Sequence, residues 1–239
     1  MTAALAFLTP LGGARTPSPA ALRWFPVVGL LVGLAVGLAW RGADELWAPA
    51  VAAALAVSAD LALTGMLHVD GLADSADGLL PHLGPPPEAR SRRLEIMAEP
   101  TIGAFGVTVV VGALLLRWSA LASMGADVLL VCGLWVLSRS LMVGVLTSVP
   151  YAREGGLAGA FLGAPGGTAV AAGGGVVAAV LVTAGVGLPS IAVVGAALAA
   201  GAGTVVLAVR RLGGFTGDVL GAAGVVTETV GLVVASARW

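Results

Sequence analysis

The chain has 239 residues, of which 58% are hydrophobic and only 10% charged, and its mean hydropathy is +1.01. Soluble domains run about 45–50% apolar and about 25% charged, so the composition excludes an ordinary soluble protein and implies an integral membrane protein. The formal net charge of -1, with all twelve basic residues arginine, argues against a nucleic-acid surface.

The amino-terminal TAALAFLTPLGGA has a short apolar core with no basic residue ahead of it, so a cleaved signal peptide is not expected. Apolar runs long enough to cross a bilayer as helices fall near 24–40, 47–67, 103–123, 127–149, 167–187, 188–209 and 218–237. The expected fold is therefore all-α: one polytopic transmembrane domain over residues 1–239 with about seven spans. The fifth and sixth spans are divided only by Gly187, Leu188 and Pro189, and the fifth is rich enough in Gly and Ala to suggest a re-entrant or broken helix. Gly29, Gly33 and Gly37 form a small-xxx-small stripe that marks close helix packing. Cys132, the one cysteine, reads as a small buried hydrophobe.

Between the second and third spans the sequence changes character. HVDGLADSADGLL, residues 68–80, carries Asp70, Asp74 and Asp77 at i, i+4, i+7. At roughly 100° per residue these lie within about 60° on one helix face. Three like charges beside apolar sequence repel one another and lose hydration, so a cation is expected against them, and a divalent metal is the economical one. Pro85, Pro86 and Pro87 then end the preceding element, and ARSRRLEIMAE forms a short cytoplasmic helix stopped by Pro100. On it Glu95 and Glu99 share a face. If that helix folds back, four or five carboxylates meet, the number that two metal ions need to clamp a phosphoryl displacement. The bland alternatives are a solvated helix end for the Asp triad, a surface pair answering Arg92 and Arg93 for Glu95 and Glu99, and a core histidine for His68.

Arginine counting orients the chain. Arg15, Arg23, Arg90, Arg92, Arg93, Arg153, Arg210 and Arg211 fall on the amino-terminal side, against Arg41 and Arg238 on the other, so the amino-terminal side is expected to be cytoplasmic. The same face receives the Asp stretch, the 80–102 loop, residues 151–156 and the stretch from Arg210 to Asp218. Arg210 and Arg211 could be orientation anchors only, although GGFTGD after them offers backbone amides and a helix start for phosphate. Arg139 and Glu228 lie inside spans and should pair or face a cavity. Asp60 and Arg117 are expected near interfaces, snorkelling to water.

Five segments, WFPVVGLLVG, LHVDGLADSADGL, RRLEIM followed by IGAFGV, VPYAREGGL, and RRLGGFTGDVLGA with TE after it, together resemble the cobalamin synthase (adenosylcobinamide-GDP ribazoletransferase) family over about residues 24–237. The resemblance implies that a hydroxyl of α-ribazole, or of its 5′-phosphate, attacks the pyrophosphate of adenosylcobinamide-GDP and releases GMP, with a divalent metal, usually Mg2+. A more distant likeness is to the CDP-alcohol phosphotransferases, whose DxxDG and GxxxDxxxD pattern is similar to Asp74-x-x-Asp77-Gly78 and Ser91-x-x-x-Glu95-x-x-x-Glu99. Pro81 and His82 stand where that family has Ala-Arg, and Ser91 where it has Gly. The expected assignment is Asp74, Asp77 and Glu95 as metal ligands with Asp70 supporting, Glu99 as general base, and His68, Arg153, Arg210, Arg211 and Asp218 toward substrate. Partners are the two substrates and the lipid bilayer, in the cytoplasmic (inner) membrane with the site facing the cytoplasm, and a homo-oligomer is left open. The competing readings are a lipid-type CDP-alcohol phosphotransferase and, in another class, an ion-coupled transporter using Asp60, Arg139 and Glu228.

Overall fold

The computed structural model describes residues 1–239 apart from Ala14, Pro85, Pro86, Pro87 and Glu154. The helix-ending role expected of the three prolines therefore lies outside the described residues. The helices are α1 (Thr2–Leu8), α2 (Phe25–Asp44), α3 (Pro49–Thr64), α4 (Leu67–Leu79), α5 (Glu88–Ile96), α6 (Ala104–Ala122), α7 (Val128–Ser148), α8 (Gly167–Val186), α9 (Ser190–Leu212) and α10 (Gly217–Ala235). Among the described residues, six segments are individually long and apolar enough to cross a membrane, and the pair α3 and α4 together would make a seventh. The protein is a polytopic, all-helical membrane protein.

Most span ends fall where the apolar runs end. The fifth and sixth spans are two complete helices: Gly187, at φ 71°, closes α8, and Ser190 begins α9 while accepting a hydrogen bond from Thr183 Oγ1 at 2.9 Å. α7 and α10 are the most enclosed spans, whereas α6, α8 and α9 leave most of their surface to lipid. The glycine stripe of α2 packs on α7, as its spacing suggested. A Cβ at Gly29 would lie 2.6 Å from the Trp135 carbonyl oxygen, and one at Gly33 would lie 2.9 Å from Cys132 Cα.

The second span departs from its expected course. It is not one helix over 47–67 but two, bent by 89°. The break is made by two successive left-handed residues, Gly65 and Met66, both at φ 59°. Gly65 adopts that conformation without a Cβ penalty, while non-glycine residues there are held by their surroundings. Inside a continuous apolar run, LTGML gives hydropathy no reason to stop. Beyond the break α4 runs antiparallel to both α6 and α10. Asp77 meets the start of α6, while Leu72 packs with Val109, Val110 and Ala113 further along it. Gly71 lies against the Asp218 backbone and Gly221 against His68. The three-Asp helix is thus the second half of a broken span, wedged between two others.

The buried charges of the interior form one network, and here the snorkelling expected for Asp60 and Arg117 is overturned. Arg117 Nη1 donates to Asp60 Oδ2 at 2.7 Å, Nη2 to Glu228 Oε2 at 2.6 Å, and Nε to Thr229 Oγ1 at 2.8 Å. Arg139 Nη1 and Ser138 Oγ both donate to Glu228 Oε1 at 2.7 Å, and Trp135 Nε1 donates to Asp60 Oδ1 at 2.9 Å. Arg139 and Glu228 pair as expected. Two cations and two anions cancel, which is the condition for keeping charge away from water. The network ties α3, α6, α7 and α10 together at one point.

Candidate active site

Two loops build one rim of the site. Phe215 N donates to Pro150 O at 2.9 Å and Ala152 N to Phe215 O at 2.8 Å, a short parallel bridge between Tyr151 and Phe215 whose rings stack edge-on at 5.2 Å. Gly214 is required there, because a side chain would strike the Pro150 carbonyl. The segments VPYAREGGL and GGFTGD are therefore zipped together, and the zipper sets Arg153 opposite Asp218, with Arg153 Nη1 3.6 Å from Asp218 Oδ2. Thr216 caps α10 by accepting from Val219 N at 3.3 Å and donates to Asp218 Oδ2 at 3.2 Å.

Opposite this rim stands the acidic face of α4. Asp74 is half-buried, and the carboxylates whose charge bears on it are, in falling order, Asp218, Asp70 and Asp77, with Arg153 opposing them. A cavity of about 360 Å³ opens beside them, lined by His68, Asp70, Arg15, Tyr151, Arg153 and Asp218 among others, with α1 along one wall. His68 lines the cavity but is 6% exposed, and its buried Nδ1 has no partner among the described residues. Burial raises the Tyr151 phenol above its usual range, with the charge of Arg153 acting the other way. Of the residues the sequence singled out, His68, Asp70, Arg153 and Asp218 line this one cavity, with Asp74 near enough for the charges of Asp218, Asp70 and Arg153 to bear on it. Tyr151 and Arg15 were not singled out as site residues by sequence, since nothing in their local spacing marks them.

Three other expectations meet a different geometry. Asp77 spends both oxygens on the start of α6, accepting from Gly103 N at 2.7 Å and from Gly106 N at 2.9 Å. IGAFGV is the complement of that carboxylate: a Cβ on Gly103 would sit 2.5 Å from Asp77 Oδ1, and one on Gly106 would collide with Oδ2. α5 ends at Ile96, three residues before Glu99, with a tight turn in which Glu99 N donates to Ile96 O at 3.1 Å. Pro100 disfavours the helical conformation for the residue ahead of it, so Glu99 leaves the helix register. Glu95 and Glu99 both reach Arg92, at 3.1 and 3.5 Å, on an exposed face. Arg211 Nη1 donates to the carbonyls of Leu79 and Pro81, closing the carboxyl end of α4, and Arg210 is exposed beside it, so neither joins Arg153.

The four-carboxylate metal cage of Asp70, Asp74, Asp77 and Glu95 is consequently not assembled. Among the described residues no three His, Cys, Asp or Glu side chains converge closely enough to hold a metal ion. The donors at Asp70, Asp74 and Asp218 are nevertheless hard carboxylate oxygens, and Mg2+ is commonly held by one or two carboxylates, waters and substrate phosphates rather than by a protein cage. The residues fit that simpler arrangement.

The sequence model of the family described as cobalamin-5-phosphate synthase matches residues 1–236. The chain belongs to that family. A relative from Bradyrhizobium diazoefficiens named adenosylcobinamide-GDP ribazoletransferase is 39% identical, with 99% of this chain and 92% of the relative covered. One of the same name from Chlorobium phaeovibrioides is 37% identical over 87% of this chain and 83% of its own length. A third from Pseudomonas aeruginosa is 42% identical over 64% of each. No solved structure matches. In this member of the cobalamin-5-phosphate synthase family, the segments that first suggested the kinship have distinct duties. LHVDGLADSADGL supplies the acidic face, IGAFGV anchors Asp77, and the two zipped loops present Arg153 and Asp218.

Proposed function

We propose that this protein is an adenosylcobinamide-GDP ribazoletransferase: a hydroxyl of α-ribazole, or of its 5′-phosphate, attacks the corrinoid-side phosphorus of adenosylcobinamide-GDP. The oxygen–phosphorus bond to the GMP portion breaks, GMP leaves, and the hydroxyl proton is released. The observation that carries the reading is the family match over residues 1–236, joined to relatives bearing that name. The geometry supports it, because Arg153, Asp70 and Asp218 line one cavity of about 360 Å³ and the charges of those three bear on Asp74.

In this reading Arg153 offers its planar fork to the pyrophosphate, a bidentate fit that a lysine would not reproduce. Asp218, held by Thr216, keeps that guanidinium turned toward the cavity. Asp70 and Asp74 would hold Mg2+ together with the substrate phosphates, and the ion would neutralise charge building on the pyrophosphate oxygens. His68 lines the same cavity, and its buried Nδ1, unpartnered among the described residues, would turn to substrate only if the ring moved. We place this rim on the cytoplasmic face of the cytoplasmic membrane, from the arginine asymmetry of the loops.

The test is GMP release from adenosylcobinamide-GDP and α-ribazole by the purified chain, with and without magnesium. Asp74→Asn should lower turnover by at least about 100-fold, as loss of one preorganised electrostatic group does. Glu99→Gln, on the exposed Arg92 pair, should leave it within a few-fold. No GMP release by the unaltered chain, or near-normal turnover in Asp74→Asn, would overturn the assignment.

A further inference from the structure

Away from that cavity, whose lining carries both signs of charge, lies a second one of about 540 Å³ whose charged side chains are all arginine. His82, Leu83, Gly84, Ala89, Arg93, Arg210 and Arg211 line it, where the carboxyl ends of α4 and α9 meet α5. Three guanidiniums surround one space, yet among the described residues none of the three joins an ion pair. Arg93 is only 4% exposed. Its Nη1 donates to Gly78 O at 2.7 Å and Leu79 O at 3.2 Å, and its Nη2 to Pro81 O at 3.0 Å. Arg211 donates to two of the same carbonyls. The carboxyl end of a helix offers about half a negative charge, so it answers a fraction of one guanidinium, and here two share it with a third alongside. Burial, and then the charge of Arg211, lowers the pKa of Arg93, as expected of cations crowded without a counterion.

We infer that this cavity binds a phosphate-bearing anion, separately from the cavity that Arg153 and Asp218 line. The planar forks of Arg210 and Arg211 match phosphate oxygens bidentately, and the carbonyl bonds fix Arg93 and Arg211 in place before any ligand arrives. Its volume lies in the range of small-ligand sites. Two sources could supply the anion: the headgroup of an anionic phospholipid, since the cavity sits at the helix ends on the arginine-rich face, or a soluble phosphate compound. A structural reading would instead leave Arg93 and Arg211 as closures of α4 and Arg210 as an orientation anchor.

Native mass spectrometry of the full chain in detergent separates these. The probes are phosphatidylglycerol and inorganic pyrophosphate, with phosphatidylcholine as the neutral control. Arg210→Gln is the variant, because Arg210 is exposed and takes no part in closing α4, so the fold is kept, and an unchanged melting temperature verifies this. The chain should retain one anion, and Arg210→Gln should weaken its retention about tenfold, the size of one charge-assisted hydrogen bond. Preference for phosphatidylglycerol identifies a lipid headgroup, and preference for pyrophosphate a soluble phosphate. Retention no better than phosphatidylcholine for both probes, or retention unchanged in Arg210→Gln, overturns the proposal.

Discussion

Replacing Asp77 by alanine tests whether this carboxylate serves the fold or the reaction. In the structure it holds two backbone N–H groups at the start of α6, at 2.7 and 2.9 Å. The Gly106 N–H is buried, and leaving such a donor unsatisfied costs about 1–3 kcal/mol. The Gly103 N–H is only part-buried and can recruit water, so its loss resembles an ordinary helix cap at about 1 kcal/mol. Together these give about 2–4 kcal/mol, and for a chain of this size each kcal/mol moves the melting temperature by about 2–4 °C. Asp77→Ala should therefore melt about 4–16 °C lower, followed by tryptophan fluorescence in detergent. Asp77→Asn keeps one acceptor oxygen and should fall between the two. Any remaining folded Asp77→Ala protein should need the same magnesium concentration as the unaltered chain. An Asp77→Ala protein that melts normally but has lost activity would show that the carboxylate is spent on a ligand, and the capping argument would fail.

Arg117→Met should be destabilising by about 3–5 kcal/mol, because it leaves Asp60 and Glu228 buried with one arginine between them. The same fluorescence melt should drop by about 6–20 °C, whereas Arg41→Ala, which breaks an exposed pair, should leave it unchanged. Equal effects from the two would refute the network as a stabilising element. For orientation, Ser91→Cys should react with a membrane-impermeant thiol reagent only after permeabilisation, and Gly42→Cys should react in intact cells. Cys132 is buried and supplies little background. Labelling in the reverse pattern would invert the topology.

Local sequence sufficed for the spans, since crossing a bilayer depends on the apolarity of about twenty consecutive residues, which is a property of the run itself. The same locality made the acidic face of α4 legible, because i, i+4, i+7 spacing fixes a helix face whatever surrounds it. It also marked α2 as a close-packing helix and Arg139 and Glu228 as charges needing partners. Tertiary structure decided who those partners are. Asp60 finds Arg117 across 57 positions, and Arg117 finds Glu228 across 111, separations at which periodicity carries no information. Asp77 and Asp74 look alike in sequence, three residues apart. Only the arrival of Gly103 and Gly106 turns one into a helix cap and leaves the other half-buried among Asp218, Asp70 and Arg153. Glu95 and Glu99 share a face on an ideal helix, but α5 ends between them, and both pair with Arg92 on an exposed face. The break at Gly65 and Met66 was hidden for the opposite reason, since hydropathy sums over a run and is blind to two residues that turn left-handed within it.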